Sequence, residues 1–201
     1  MLKDSWKNKN IFLKQLELNK NEFLNYPDHW KIFVKLLNDI ILKEKQISIL
    51  DIGCGCGAFY KLCLDNFKNI INYTGIDYSS EAIEIAKKTW NYDKFYCKDL
   101  FELDKKFIQN YDLLHLGALL DVLENADDAL NYLLSFSTKY VYIGRIEFKD
   151  GKSQIKTYNA YDEIVTYKHI HGKDDFLKII ENNNYIIVDK VQNNILLEYK
   201  K

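Results

Sequence analysis

The apolar positions of this chain change period twice. Up to residue 46 they recur at helical spacing, which predicts helices near residues 6–18 and 30–42. In the second, Ile32, Phe33, Leu36, Leu37 and Ile40 share one side. Pro27 ends the preceding run, and Asp28 is placed to cap the helix that follows. From Ile47 the pattern becomes short continuous apolar runs separated by amphipathic stretches. The runs predict strands over 47–52, 73–77, 94–97, 111–116 and 140–146, with helices near 59–66, 80–90, 103–109 and 127–135. Glu81, just after Ser79 and Ser80, suits the first turn of a helix, where acids meet the positive end of the dipole. Strands apolar along their whole length, alternating with helices, describe a parallel sheet covered on both faces.

The second change comes after residue 147. A polar, tyrosine-rich stretch runs over 148–171 and a helix follows near 174–182. Two apolar runs, 185–191 and 195–199, then flank Gln192, Asn193 and Asn194, the pattern of a β-hairpin. A sheet finished by such a hairpin, its last strand antiparallel, differs from the ending of a dinucleotide dehydrogenase. No repeat and no low-complexity linker interrupts the chain. One domain over 1–201 is expected, with a helical cap over 1–46 and the α/β core over 47–201.

With 201 residues and 47% hydrophobic content, the chain can fill one core. The net charge is −1, and acids and bases are interspersed. No basic stripe is visible, so a nucleic-acid partner is not expected. The four cysteines, Cys54, Cys56, Cys63 and Cys97, form no C-x-x-C pair, which fits a reduced, cytoplasmic protein. The first residues lack the apolar run of a signal peptide, and no apolar run is long enough to span a bilayer.

The densest motif is ILDIGCGCGAF over 49–59: strand, acid, glycine loop, helix. Glycines let the backbone turn tightly and let a ligand approach it closely. Gly53, Gly55 and Ala58 alone would also satisfy a nicotinamide fingerprint. Asp51 at the strand end argues otherwise: a carboxylate there repels a pyrophosphate but suits a cofactor carrying an ammonium and a sulfonium. Gly57 adds a third alternate glycine. Asp77 ends the second strand, where it can accept from both hydroxyls of a ribose. Asp99 follows the third, where a carboxylate can meet an adenine amino group. All three acids fall on the carboxyl edge of the sheet, the ligand edge of open α/β folds.

In this order, the Asp51 glycine loop, Asp77, Asp99 and YDLL at 111–114 resemble successive motifs of the class I S-adenosylmethionine-dependent methyltransferases. LLDVLENADDA over 119–129 is similar to the family's "VLEH" segment, with Asn125 where a histidine is common. The resemblance covers roughly residues 47–199. It implies a Rossmann-like mixed sheet of seven strands, mostly parallel with a C-terminal antiparallel hairpin, flanked by helices and preceded by N-terminal helices. It implies S-adenosylmethionine as cofactor, held by Asp51, Gly53, Cys54, Gly55, Gly57, Asp77, Tyr78, Asp99 and Leu100, with Leu116 and Gly117 beside the methionyl part. The segment 144–171 and the helix after it resemble small methyltransferases linked to bacterial surface-polysaccharide (capsule) synthesis. That implies O-methylation of a sugar or sugar-phosphate acceptor.

Methyl transfer needs orientation and exclusion of water more than a fixed catalytic group, and a base only for a reluctant acceptor proton. The candidates are therefore residues placed near the acceptor. Arg145, the one arginine, ends the fifth predicted strand, where its planar fork suits a carboxylate or phosphate; the competing role is an ion pair with Glu147 or another acid. His169 and His171 form an H-x-H pair that points to one face of an extended segment. No carboxylate motif accompanies them, so a base is expected there and a metal is not. His115 lies in the fourth strand, as a candidate or as a core residue. Tyr26, His29 and Trp30 are candidates for a lid over the cofactor. Other classes stay open: a methyltransferase acting on RNA or protein, an NAD-dependent reductase, or a non-catalytic binding protein. The proline-rich tetrapeptide of exocyclic-amine methylation and a reductase Tyr-x-x-x-Lys pair are both missing from the sequence.

Overall fold

The computed structural model describes residues 2–161 and 164–200; Asp162 and Glu163, inside the tyrosine-rich stretch, lie outside the described residues. Seven strands make the main sheet: β1 (Ile47–Ile52), β2 (Ile71–Asp77), β3 (Phe95–Cys97), β4 (Leu113–Leu116), β5 (Tyr140–Ile143) and the hairpin β9 (Tyr185–Val191) and β10 (Asn194–Tyr199). Their order is β3-β2-β1-β4-β5-β10-β9. The first five are parallel, and β10 enters antiparallel beside β5. This is the Rossmann-like mixed sheet expected from the sequence.

Side chains alternate across a strand, so each apolar strand feeds both faces. Ile49, Leu113 and Tyr142 pack with α2 (Asp28–Glu44) and α3 (Ala58–Phe67) on one side. Leu50, Leu114 and Val141 pack with α6 (Ala126–Leu134) and α7 (Lys173–Asn182) on the other. The helix α4 (Ser80–Trp90) begins at the Ser79 hydroxyl, which accepts the Ala82 N–H.

Among the boundaries that differ from the sequence pattern, three have a visible local cause. The first predicted helix splits into a 3-10 turn over Leu2–Lys7 and α1 (Lys9–Glu22), because the Asn8 side chain accepts the Asn10 N–H and restarts the helix. Asp28 is the first residue of α2 and not its cap; Pro27 holds the cap position with no side-chain bond. The fifth strand stops at Ile143. Gly144 passes so close to Gly117 that a Cβ on it would lie 2.3 Å from the Gly117 carbonyl oxygen, and Arg145 turns into the left-handed region with φ 59°.

The tyrosine-rich stretch folds into a second small sheet: β6 (Phe148–Lys149), β7 (Gln154–Ala160) and β8 (Ile164–Gly172), ordered β6-β8-β7. Most of β7 is exposed, so it carries no apolar alternation to announce it. The small sheet packs on the N-terminal turn: Ser5 Oγ donates to the Val165 carbonyl, and Trp6 Nε1 donates to Thr166 Oγ1 at 2.9 Å. No helix among the described residues is long and apolar enough to cross a membrane.

Candidate functional site

The carboxyl ends of β1, β2 and β3 open on a cavity of about 400 Å³. The loop after β1 is folded over the end of β2: the N–H groups of Gly53 and Cys54 both donate to the Ile76 carbonyl. Gly55 N–H donates to Asp77 Oδ2 at 3.0 Å, and Ser79 N–H donates to Asp77 Oδ1 at 2.9 Å. Gly55 sits at φ 51°, so the backbone calls for glycine, and a Cβ there would lie 2.8 Å from the movable tip of Gln15. Asp77 is buried. Burial pushes its carboxyl up to about 6, although the two N–H bonds pull the other way.

Six of the residues expected at a cofactor line this cavity: Gly53, Gly55, Asp77, Tyr78, Asp99 and Leu100. Asp99 also caps the short turn after β3 by accepting the Phe101 N–H. The rest of the lining lies outside the expected cofactor set. It includes Trp6, Phe12 and Gln15 of the N-terminal segment, Ala118 and Leu119 after β4, and Tyr167 of β8. Gln15 Oε1 is buried there with no hydrogen-bond partner among the described residues. An amphipathic helix gives no sign of which cavity its apolar side covers, so the sequence held no signal for this wall.

The other expected cofactor residues lie behind the lining. Asp51 is 1% exposed; it accepts the Tyr73 hydroxyl, and its Oδ1 is 2.7 Å from His115 Nδ1. The carboxylate therefore faces the core and not the cavity. Cys54 is buried beneath the loop, Gly57 caps α3 against Phe95, and Leu116 and Gly117 are buried. Ala118 and Leu119 take the wall position expected of Leu116 and Gly117. His115 is stacked on Tyr142 and flanked by Phe33 and Phe59, which makes it a core residue.

A second cavity of about 560 Å³ lies across the 3-10 turn over Leu120–Val122. Val122 lines the first cavity and Asp121 the second. Arg145 Nη2 is 2.9 Å from Asp121 Oδ2, so the arginine pairs with Asp121 and not with Glu147. Glu147 pairs instead with Lys168, at 2.7 Å. Asp28, His29, Tyr158, Gln192, Asn193 and Asn194 also line this cavity. Burial pushes the Asp121 carboxyl up, against the lowering effect of Arg145. Its Oδ1 is buried with no partner among the described residues. Burial and Arg145 lower the His29 imidazole, against Asp28. The proposed lid of Tyr26, His29 and Trp30 does not form: Trp30 is a core residue packed against Phe23 with the rings tilted, and His29 lines the second cavity.

His169 and His171 line neither cavity. Both are buried, with ring centroids 4.5 Å apart. The carboxylate that the sequence did not show beside them is supplied by Asp127 of α6, whose Oδ1 is 2.6 Å from His171 Nδ1. Arg145 lines the second cavity, and the two histidines do not.

Residues 50–137 match the family model described as "Methyltransferase domain". A malonyl-[acyl-carrier protein] O-methyltransferase of Acetivibrio thermocellus is 30% identical over 127 residues, 60% of this chain and 44% of that protein. A tRNA N(3)-methylcytidine methyltransferase of Schizosaccharomyces pombe is 30% identical over 124 residues, 59% of this chain and 37% of that protein. The chain therefore spans less than half the length of these curated relatives. Among solved structures, an S-adenosylmethionine-dependent methyltransferase from Clostridium acetobutylicum superposes with a TM-score of 0.64 at 14% identity, covering 94% of this chain and 99% of that one. The magnesium protoporphyrin IX methyltransferase of Synechocystis, with its cofactor bound, gives 0.58 at 16% identity, covering 98% and 90%.

Proposed function

We propose that this chain is an S-adenosylmethionine-dependent methyltransferase that O-methylates a small hydroxylated acceptor, a sugar in surface-polysaccharide synthesis. The observation that carries the reading is the turn over Leu120–Val122, which lines the glycine-loop cavity with Val122 and a polar cavity with Asp121. A methyl donor and an acceptor held on its two sides would meet across one turn of backbone.

The residues present fit the donor. Asp77 offers a buried carboxylate to two ribose hydroxyls, and Asp99 an acceptor to an adenine amino group. Gln15 Oε1 is an unpaired acceptor suited to an ammonium, and Gly55 leaves the backbone bare for close approach. When bound, S-adenosylmethionine supplies a methyl group on a sulfonium, already activated toward a lone pair. Trp6, Phe12 and Leu119 would keep water from that bond, which strengthens every polar contact inside.

The acceptor side is polar but charge-paired. Arg145 is matched by Asp121 and Lys168 by Glu147, so a phosphate would have to displace a carboxylate. Hydroxyls instead meet the side chains of Gln192 and Asn193 without that cost, which favours a sugar over a sugar phosphate. In this reading Asp121 Oδ1 takes the acceptor hydroxyl proton and Arg145 orients the carboxylate. A radiolabelled methyl assay against separate pools of sugars, nucleotide sugars and sugar phosphates tests it, beside calorimetry with S-adenosylhomocysteine and NAD. Label in the sugar pools is expected. Binding of NAD without S-adenosylhomocysteine would replace the methyltransferase reading with a reductase.

A further inference from the structure

His169 and His171 stand two residues apart on β8, so their rings project to the same face. Against that face α6 places Asp127. One ligand atom from each of the three residues lies within 4.8 Å of the others. The Asp127 Oδ1 is 2.6 Å from His171 Nδ1 and 3.6 Å from His169 Nε2, the second too long for a hydrogen bond. We propose that Asp127, His169 and His171 form a site for one borderline divalent cation of the zinc type, which ties the small sheet to the main domain.

Buried imidazole nitrogens are ordinarily satisfied. Here both ring nitrogens of His169, and Nε2 of His171, have no hydrogen-bond partner among the described residues, and the two rings are only 3% and 0% exposed. A single His–Asp pair explains one nitrogen out of four. A cation at the convergence point takes His171 Nδ1 and His169 Nε2, which gives the second of these, aimed at the carboxylate but too far to bond it, a partner.

The carboxylate is held as an outer shell holds a metal ligand. Ser153 Oγ donates to Asp127 Oδ2 at 2.6 Å and accepts the Gly172 N–H at 2.8 Å. That leaves Oδ1 turned to the two rings. Phe148 and Phe176 wall the His171 side, while Asp127 keeps an edge open to solvent for entry.

The donor set selects the cation. Two imidazoles and one carboxylate, with no thiolate, suit zinc and its neighbours and not calcium or magnesium. Tetrahedral ligands about 2.0–2.1 Å from zinc are spaced roughly 3.3 Å apart. The 3.6 Å pair is close to that spacing; the 2.6 Å pair must open by well under 1 Å as the His171 N–H proton leaves. The site lines neither cavity, so its role is structural, and the proposal stands apart from the methyltransferase reading. It replaces the expectation that no metal binds here.

The untagged full chain, stripped with a chelator, is titrated with zinc against a chromophoric competitor and separately with cobalt(II). One equivalent of zinc is expected, at micromolar or tighter Kd, with a raised thermal midpoint and a visible cobalt spectrum of low coordination number. Asp127→Asn, His169→Ala and His171→Ala should each weaken binding by about a hundredfold or more. In the parental chain, zinc should shift the ring signals of two of the four histidines by NMR, a readout that stands even if a variant fails to fold. No stoichiometric binding, or no histidine shift, or full affinity in folded variants, would overturn the site.

Discussion

His115 Nδ1 lies 2.7 Å from Asp51 Oδ1, joining β4 to β1 directly beneath the glycine loop. The parallel register puts the two residues side by side, and Tyr73 on the next strand donates to the same carboxylate. A buried polar chain of this kind contributes to the fold and not to the reacting atoms. Removing one partner of a buried charged group costs about 3 kcal/mol or more. His115→Leu is therefore expected to lower the unfolding free energy by about that amount in a urea titration, and His115→Gln, which keeps an N–H donor, to recover part of it. A catalytic His115 would give the reverse pattern: normal stability with a large fall in kcat.

Asp77 sets the pH dependence of cofactor binding. Its carboxyl is raised from the ordinary 3.8 to about 6 by burial. Ribose hydroxyls donate to the ionised form, so binding should be constant above neutrality and weaken about tenfold per pH unit below about 6. The stability contribution runs the other way. In the ligand-free chain this group favours folding below 3.8, and that contribution is lost as pH rises through 6. Opposite trends in S-adenosylhomocysteine affinity and ligand-free stability would separate titration of Asp77 from acid unfolding. Asp77→Ala should cost about 2–4 kcal/mol of binding, since two charge-assisted hydrogen bonds are lost.

Trp6 is expected to behave as part of the cofactor wall. It lines the first cavity and is held by its Nε1 bond to Thr166. Trp6→Ala should weaken S-adenosylhomocysteine binding by about tenfold through lost apolar contact. Trp6→Phe keeps a ring but not the N–H, and should fall between. Unchanged calorimetric affinity in both variants would remove the N-terminal turn from the site.

What the sequence made legible follows from locality. Strand, acid and glycine loop are neighbours in the chain, so Gly53, Gly55, Asp77 and Asp99 read directly onto one edge of the sheet. Asp51 was placed at the right strand end but with the wrong direction, because its partners Tyr73 and His115 are brought in by sheet register. The pairing of Arg145 with Asp121 and of His171 with Asp127 joins residues far apart in the chain, which no spacing rule reports. The small sheet was missed for a different reason. Its outer strand β7 is mostly exposed on both faces, so the apolar alternation that marks a half-buried strand is missing.

Asp121 and Arg145 carry the acceptor side of the proposal. Asp121 lines the second cavity with Oδ1 unpaired, while Oδ2 is fixed by Arg145, itself held in a left-handed backbone turn. Such a turn costs on the order of 1–2 kcal/mol in a residue other than glycine, a cost more often met at functional positions. With an acceptor found by the labelled-methyl assay, Asp121→Asn should slow transfer by about a hundredfold while S-adenosylhomocysteine affinity stays within about twofold, because the amide cannot take the hydroxyl proton. The parental rate should fall as pH drops through the raised Asp121 value, since only the carboxylate is a base. Arg145→Lys keeps the charge but loses the planar fork, so it should raise the acceptor KM and shift that pH profile upward, as the carboxylate is less well held. A merely structural pair would lower stability in both variants and leave the profile where it was. If Asp121→Asn transfers methyl at the parental rate with the parental profile, His29, which lines the same cavity, becomes the group to test.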